Sequence, residues 1–213
     1  MGLFDKVKDL IDDSQVVVFS DYDKGALTGI EQLIELARKR GKPIVIDPKG
    51  TDFQKYMGAT IITPNLAEFE SVVGASKNEQ ELVDKGLGLV RDLSLDALLI
   101  TRGEHGMTLI RLNSPELHLP ARAQEVFGVT GAGETVISVI AAAVAAGESI
   151  SDATALANLA AGLVVGKLGT AAISGPELRR SMLQEHDWGG GMMTAQQLSF
   201  AVQDAKEHGE KIV

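Results

Sequence analysis

Short apolar runs alternate with amphipathic segments along most of the chain, and this alternation predicts its architecture. Four runs rich in Val, Ile and Leu have the length and composition of buried parallel strands. These runs are residues 15–20, 43–47, 60–62 and 97–100. Segments with apolar residues at helical spacing surround them, at residues 3–11, 28–40 and 78–93 and in the stretch bearing Glu68. Strands joined by helices imply crossover connections, so we expect a mostly parallel central sheet with helices on both faces, an α/β fold.

The later part of the chain predicts a hairpin followed by helices. Residues 107–111 and 117–119 predict two strands around a turn at residues 113–115. The helices expected after it are residues 135–146, residues 151–168 with Ser151 as the cap, and residues 176–182. Residues 186–193 are glycine-rich and predict a linker, and residues 194–213 predict a helix and the start of an apolar strand. We therefore expect one domain over residues 1–185 and the beginning of another at residues 194–213.

A glycine-rich turn, Thr130-Gly131-Ala132-Gly133-Glu134, follows a predicted strand end at residues 124–127 and opens the helix at residues 135–146. Small residues let backbone N–H groups converge at the positive end of that helix, which makes an anion site. Glu134 adds a carboxylate beside it. Such amides can hold negative charge while the carboxylate takes the proton of an attacking hydroxyl, as phosphoryl transfer requires. The alternative is an ordinary strand-to-helix turn; it is not a P-loop, because no Gly-Lys-Ser/Thr follows.

Polar side chains recur where four of the predicted strands end. The four sets are Asp21 with Lys24, Asp47 with Lys49, Asn65 with Glu68, and Arg102 with Glu104. Each set alone is typical of a solvated loop. Ligands of open α/β sheets bind at the carboxyl ends of the strands, so four sets at the same edge, together with the glycine-rich turn, predict a binding site there.

Composition limits the possible functions. The net charge is −9 and no run of Lys or Arg is present, which excludes a nucleic-acid-binding surface. Cysteine is absent, so the chain has no disulfide or thiolate metal site, as fits a reducing compartment. The four histidines lack metal-ligand spacing, so we expect no zinc site. The longest apolar stretch, residues 136–146, is too short to cross a bilayer. We expect a soluble, cytoplasmic protein.

Three motifs resemble those of the ribokinase-like (PfkB) sugar kinases. Thr63-Pro64-Asn65-Leu66-Ala67-Glu68 is similar to the Asn-x-x-Glu motif of that family. Residues 101–106 resemble its nucleotide-phosphate strand end, and residues 130–133 resemble its anion hole. Residues 20–27, 46–53 and 164–170 resemble in particular the family's kinases of D-glycero-D-manno-heptose 7-phosphate. Those kinases phosphorylate C1 of the sugar in ADP-heptose and lipopolysaccharide biosynthesis, joined to a nucleotidyltransferase domain.

The resemblance, which extends over residues 3–213, implies a three-layer α/β/α fold, Mg-ATP as cofactor, and a role for each matching residue. Glu134 would be the catalytic base, and Gly131, Ala132 and Gly133 would stabilise the transferred phosphoryl group. The residues implied in nucleotide binding are Asn65, Leu66, Ala67, Glu68, Thr101, Gly103, Glu104, Thr130 and Asn158. Glu68 would hold Mg²⁺ through water, since this ion keeps several of its waters. Lys24 and Lys49 would face a phosphate of ATP or of the sugar, or remain solvated loop cations.

The sequence also departs from the family pattern Asp-x-Thr-Gly-Ala-Gly-Asp. Gly128 replaces the first Asp and Glu134 replaces the catalytic one. The resemblance further implies that the family's first strands, its sugar-binding Gly-Gly-Asn segment and its β lid are missing, which favours dimers or larger assemblies. The adenylyltransferase motif His-x-Gly-His is absent. A kinase of another sugar and a non-catalytic nucleotide-binding or assembly fragment therefore remain as alternatives.

Overall fold

The central sheet has six strands among the residues that the computed structural model describes, which are 3–122, 131–167, 171–186 and Val202. The strands are β1 (Val17–Ser20), β2 (Ile44–Asp47), β3 (Ile61–Ile62), β4 (Ala97–Thr101), β5 (Met107–Ile110) and β6 (Leu117–Leu119). They lie side by side in chain order. β1 to β4 are parallel, and β5 and β6 are antiparallel to their neighbours. The predicted parallel sheet and its hairpin are confirmed.

Helices cover both faces of this sheet. They are α1 (Leu3–Leu10), α2 (Ile30–Lys39), α3 (Leu66–Val73), α4 (Glu79–Asp92), α5 (Ala132–Ala145), α6 (Ile150–Val165) and α7 (Gly175–His186). α2, α3 and α4 bury their apolar sides in one half of the core, against Ile44 and Ile46 of β2. α5 packs on the other face, against Val45. Neighbouring parallel strands joined by crossovers of one hand require the intervening helices to share a face, as α2 to α4 do.

The apolar pattern of each helix explains the face that it buries. In α2, Ile30, Leu33, Ile34 and Ala37 are buried and recur at the spacing of one helical face. In α4 the corresponding face includes Gly86, where a Cβ atom would lie 2.3 Å from the Ile110 Cδ1 atom. The missing side chain therefore lets α4 approach β5 closely.

Some predicted helix boundaries are wrong. α5 begins at Ala132 rather than at residue 135, because Gly131 adopts a left-handed conformation (φ 90°) that lets the helix start directly after it. α6 spans Ile150–Val165, and Ser149 is its cap instead of Ser151. Ser149 has the extended backbone that a capping residue needs, and its Oγ accepts the Asp152 N–H at 3.1 Å. Ser151 already lies inside the first turn.

The end of the described chain differs from the prediction as well. α7 runs to His186, so this residue is helical instead of the first residue of a linker. The remainder of the predicted linker and the predicted elements at residues 194–213 lie outside the described residues, apart from Val202, which is helical. In the described part of the chain, no helix is both long enough and apolar enough to cross a membrane.

Candidate active site

Asp47 lies at the carboxyl end of β2, on the face of the sheet that α5 covers. Side chains alternate along a strand, so Asp47 faces the same way as Val45, which packs in the α5 half of the core. Ser20 of β1 is its partner in register, and its side chain hydrogen-bonds to Asp47. Burial, reinforced by the nearby charge of Glu68 and also by Glu134, raises the pKa of Asp47 to about 6, although Lys49 and the Ser20 bond oppose this.

Lys49 and Glu68 form an ion pair beside Asp47. The Lys49 Nζ contacts the Glu68 Oε1, and the hydrogen bond from this contact raises the pKa of the Lys49 ammonium group. The Glu68 side chain is only 15% exposed, whereas that of Lys49 is 47% exposed. Lys49 therefore keeps a solvent-accessible positive charge at the edge of the sheet, where an anionic ligand can reach it.

A capping box at the start of α3 fixes Glu68. The Asn65 Oδ1 accepts the Glu68 N–H at 2.9 Å, and the Glu68 Oε2 accepts the Asn65 N–H at 3.0 Å. Each Glu68 carboxylate oxygen thus has a partner, one in the cap and one in Lys49. The N–H groups of Leu66 and Ala67, the first two helical residues, have no acceptor within the helix. They make the start of α3 a site of positive potential next to Lys49.

Thr101 borders this cap from the neighbouring strand. Its N–H donates to the Pro64 carbonyl oxygen at 3.0 Å, and Thr101 and Asn65 form a parallel bridge that prolongs the pairing of β3 and β4. The end of β4 and the start of α3 therefore lie side by side.

The start of α5 is the second positive helix end at this edge. Gly131 gives no side-chain cap, so the N–H groups of Ala132, Gly133 and Glu134 remain available to a ligand. A Cβ atom on Gly133 would meet no atom of the described residues within 4 Å. Glu134 is exposed, and its charge raises the pKa of both Asp47 and Lys49. The first turn of α5 is therefore within electrostatic range of the ends of β2 and α3.

Other predicted site residues lie apart from the cluster of Asp47, Lys49, Glu68 and Glu134, or outside the described residues. Lys24 is exposed in the loop after β1. The Glu104 side chain is 86% exposed, and Gly103 begins the 3-10 turn Gly103–His105 that contains it. Asn158 is buried, and its Nδ2 donates to the Pro120 carbonyl oxygen at 2.9 Å, which ties α6 to the end of β6. Their contacts with nucleotide or phosphate stay predictions, and Thr130 lies outside the described residues together with Gly128 and the predicted strand end at residues 124–127.

The Arg102 side chain is held by residues of α4 and β5. Its Nη1 donates to Glu79 Oε1 at 2.7 Å and to Thr108 Oγ1 at 3.0 Å. The guanidinium group therefore links the end of β4 to α4 and β5. The arginine side chain is long enough to reach α4, where the Glu79 carboxylate attracts it.

A second layer of polar residues lies beneath Lys49. Asp21 is buried, and its Oδ2 accepts hydrogen bonds from Lys55 Nζ at 2.8 Å and from the Tyr56 hydroxyl at 2.7 Å. The Tyr56 Oη in turn accepts the Lys49 N–H at 3.0 Å. Sequence reasoning placed Asp21 and Asp47 at strand ends but gave them no role. The sequence did not indicate a role for Tyr56, because an aromatic residue is typical of the hydrophobic core.

Replacing Asp47 by Asn should raise the free energy of unfolding at pH 7 and change it little near pH 4. The pKa of Asp47 is about 6 in the folded chain and returns to about 4 on unfolding, so the unfolded chain loses this proton first as the pH rises. Stability due to this group is therefore full below about pH 4 and is lost as the pH rises to about 6. Allowing for solvent screening, the ionised form costs on the order of 1–2 kcal/mol.

Urea unfolding of both chains at several pH values between about 4 and 7 measures this difference. Asp96→Asn, at an exposed position, controls for the loss of one negative charge. A gain of stability from Asp47→Asn that is equal at both ends of the pH range would contradict the prediction.

The three-layer fold brings the starts of α3 and α5, a lysine and carboxylates to one edge of the sheet, an arrangement typical of α/β phosphoryl-transfer enzymes. Residues 2–177 match the family model described as pfkB family carbohydrate kinase. The chain belongs to this family, and membership of a kinase family implies ATP as the phosphoryl donor.

Individual relatives agree with this assignment. The chain is 59% identical to the Bifunctional protein HldE of Pseudomonas putida over 213 residues, which are 100% of this chain and 45% of that protein. It is 61% identical to HldE of Hahella chejuensis over 197 residues, 92% of this chain and 41% of the relative. The chain thus spans less than half the length of these relatives.

Solved structures confirm the predicted fold. The Arabidopsis thaliana ribokinase, solved in complex with ribose and ATP, superimposes with a TM-score of 0.74 at 19% sequence identity. The similarity covers 84% of this chain and 59% of the ribokinase. At this identity the comparison shows the ribokinase-like fold alone.

Proposed function

We propose that the chain is a kinase domain that transfers the γ-phosphoryl group of ATP to C1 of D-glycero-D-manno-heptose 7-phosphate, in ADP-heptose biosynthesis. The observation that carries the proposal is the cluster at the sheet edge, where the Lys49–Glu68 ion pair and Glu134 lie within electrostatic range of one another. The choice of sugar rests on the heptose-kinase-like stretches at residues 20–27, 46–53 and 164–170 and on the 59% identity to HldE.

In this proposal the nucleotide phosphates bind at the start of α3. The N–H groups of Leu66 and Ala67 face the phosphates, and Lys49 neutralises part of their charge. Asn65 and Glu68 hold this turn rigid through their reciprocal hydrogen bonds. Thr101, Gly103, Glu104 and Thr130 border the same phosphates, and Asn158 lies toward the nucleotide base.

The transferred phosphoryl group lies at the start of α5. The N–H groups of Ala132 and Gly133 stabilise the charge on its oxygens, and the left-handed Gly131 aims the turn at them. Glu134 accepts the proton of the attacking sugar hydroxyl. Asp47, whose pKa burial raises to about 6, lies within electrostatic range of Glu134.

The described residues fit a magnesium ion that is bound through water rather than directly by protein side chains. Among the described residues, no group of three or more His, Cys, Asp or Glu side chains could hold a metal ion. Glu68 already uses both carboxylate oxygens, in the helix cap and with Lys49. Mg²⁺ retains waters and binds substrate phosphates, so Glu68 would hold it through water. When bound, it would neutralise charge on the phosphate oxygens.

Phosphorus NMR of the chain with Mg-ATP, with and without heptose 7-phosphate, tests the proposed activity. We expect a new sugar 1-phosphate signal only when both substrates are present. Glu134→Gln should abolish that signal while leaving Mg-ATP binding in place, because the amide cannot accept the proton. A folded chain that binds Mg-ATP but transfers nothing would reject the catalytic proposal, and transfer to another sugar would reject the choice of substrate.

A non-catalytic nucleotide-binding role is the second candidate. The observation that favours it is Glu134 itself, since the family pattern has Asp at this position. Isothermal titration calorimetry with Mg-ATP tests this role. The role requires that the chain binds Mg-ATP and that the NMR experiment shows no transfer. A chain that binds no Mg-ATP would reject it.

The other assignments extend the same proposal. By the resemblance to the heptose 7-phosphate kinases, residues 194–213 would begin a nucleotidyltransferase domain. The absence of cysteine fits action in the reducing cytoplasm. The partners are ATP and a sugar phosphate; the net charge of −9 opposes binding to nucleic acid.

Self-association should occur through β1. Within the described residues this strand pairs with β2 alone, so its outer edge offers unpaired backbone groups. Val18, in the middle of it, is 42% exposed. We expect dimers or larger species in sedimentation velocity runs, and Val18→Lys should shift them toward monomer by placing charge on the edge.

Leu112→Lys is the matched control, because Leu112 is 38% exposed but lies in the turn between β5 and β6. Equal effects of both substitutions, or a monomeric parent chain at high concentration, would reject an interface at β1.

A further inference from the structure

The Tyr56 hydroxyl lies against the backbone of Lys49. Tyr56 ends the 3-10 turn Gln54–Tyr56 and is fully buried. Its Oη accepts the Lys49 N–H at 3.0 Å and is 3.2 Å from the Lys49 carbonyl oxygen. A single buried hydroxyl therefore contacts both polar groups of the backbone of Lys49. Among the described residues, no other side chain is hydrogen-bonded to the backbone of Lys49.

Tyr56 is itself held from three sides. Its hydroxyl donates to Asp21 Oδ2 at 2.7 Å, and Lys55 Nζ lies 5.0 Å from the ring centroid. The Phe53 ring meets it edge to face, with centroids 5.8 Å apart. Burial raises the pKa of Tyr56 to about 12, so the hydroxyl keeps its proton at neutral pH and can donate it to Asp21. Neither the ring nor the hydroxyl is free to move.

Asp21 completes the support. Its Oδ1 accepts the Asp23 N–H at 2.9 Å, while its Oδ2 serves Lys55 and Tyr56. Although burial raises the pKa of Asp21, the hydrogen bonds from Lys55 and Tyr56 lower it overall. The carboxylate is thus a charged, fully bonded anchor at the end of β1, and a continuous set of contacts leads from it through Tyr56 to Lys49.

We propose that Tyr56, anchored by Asp21, is a positioning residue that holds the backbone of Lys49 so that its ammonium group reaches a phosphate ligand beside Glu68. The inference rests on the proposed function of Lys49 as a phosphate contact. Lys49 is half exposed and has a four-carbon stem, so its side chain alone does not define where the charge lies. A fixed backbone leaves the residue less conformational freedom before binding, so less entropy is lost when a phosphate binds.

A double-mutant cycle on phosphate-ligand affinity tests the inference. The four chains are the parent, Tyr56→Phe, Lys49→Ala and the double variant, each titrated with Mg-ATP and separately with heptose 7-phosphate. For whichever ligand Lys49→Ala weakens, Tyr56→Phe should raise Kd about five- to tenfold in the parent. In the Lys49→Ala background it should change Kd less than about twofold, because the residue through which it acts is gone.

Tyr22→Phe is the matched control. It removes the same hydroxyl from the other tyrosine of the chain, which is 57% exposed, and should leave affinity for both ligands unchanged. Equal losses from Tyr56→Phe with and without Lys49 would show a general structural effect and overturn the inference. A Lys49→Ala chain that binds both ligands as the parent does would overturn it too.

Amide hydrogen exchange of the parent chain gives a reading that needs no variant and no activity. The Lys49 N–H should be protected at least about tenfold over an unstructured amide, because the Tyr56 oxygen accepts it in a buried position. Exchange at the unprotected rate would overturn the inference even if Tyr56→Phe fails to fold. Failure of the proposed function is distinguishable, since a parent chain that transfers no phosphoryl group, or that binds neither ligand, would still keep its Lys49 amide protected.

Discussion

Replacing Glu134 by Asp should raise the rate of phosphoryl transfer by up to about a hundredfold. The extra methylene of Glu moves its carboxylate by about one C–C bond length, and a displacement of about 1 Å can cost on the order of 10²-fold in rate. Glu134 lies in the first turn of α5 and is exposed, so a shorter side chain would occupy the same open space without a steric clash. The amides of Ala132 and Gly133 would not move, because the helix begins before them.

The measurement is kcat and kcat/KM for both chains in a coupled ADP-release assay. We expect the gain in kcat, with KM for ATP little changed, because the substitution affects proton transfer and not nucleotide binding. Glu148→Asp shortens an exposed glutamate in the loop after α5 and serves as the control. An unchanged or lower kcat in Glu134→Asp would count against Glu134 as an imperfectly placed base.

Replacing Gly106 by Ala should lower the free energy of unfolding by about 3 kcal/mol or more. Gly106 joins the 3-10 turn Gly103–His105 to β5 at φ 77° and ψ −129°, a conformation that disfavours any side chain. A Cβ atom there would lie 2.0 Å from the Leu119 carbonyl oxygen and 2.6 Å from the Ala121 nitrogen. Both are backbone atoms, so the β5–β6 hairpin would have to shift.

Such a shift would reach the candidate site. The Gly106 carbonyl oxygen accepts the Arg102 N–H at 2.7 Å, directly after Thr101.

Urea unfolding measures the loss of stability, and Gly88→Ala provides the control. Gly88 lies inside α4 with nothing within 4 Å of a Cβ atom, so Ala there should add about 0.5–1 kcal/mol. A cost below about 1 kcal/mol at Gly106 would show that the hairpin yields easily and would contradict the prediction.

The elements that the sequence predicted best are those that local pattern alone determines. The apolar runs of β2 to β4 are buried on both faces, as the inner strands of a layered parallel sheet are, so their type follows from composition. Local sequence determines the first residue of a helix less well than it determines these strands. Ser149 and Ser151 are equally good capping residues in sequence, and only the extended backbone at Ser149 selects between them.

The candidate site was predictable where its residues are neighbours in sequence. Asn65 and Glu68 cap α3 three residues apart, and Gly131 precedes a helix start, so local spacing reveals both. The Lys49–Glu68 ion pair joins residues 19 positions apart, and only the register of β2 and β3 brings them together. Arg102 had the same sequence pattern as Lys49 but turned to Glu79, since long side chains choose among partners that only the packed structure supplies.

The strand order of the sheet has a consequence for how the chain can fold during synthesis. Because each strand lies next to the one before it in sequence, every strand emerging from a ribosome finds its partner already made. No strand has to wait for a later segment to be inserted beside it, so the helices on the α2 face can dock as they appear. α5 and α6 follow all six described strands in sequence and cover the opposite face. The turn that carries Glu134 is therefore set in place only after β2 and the start of α3 have formed.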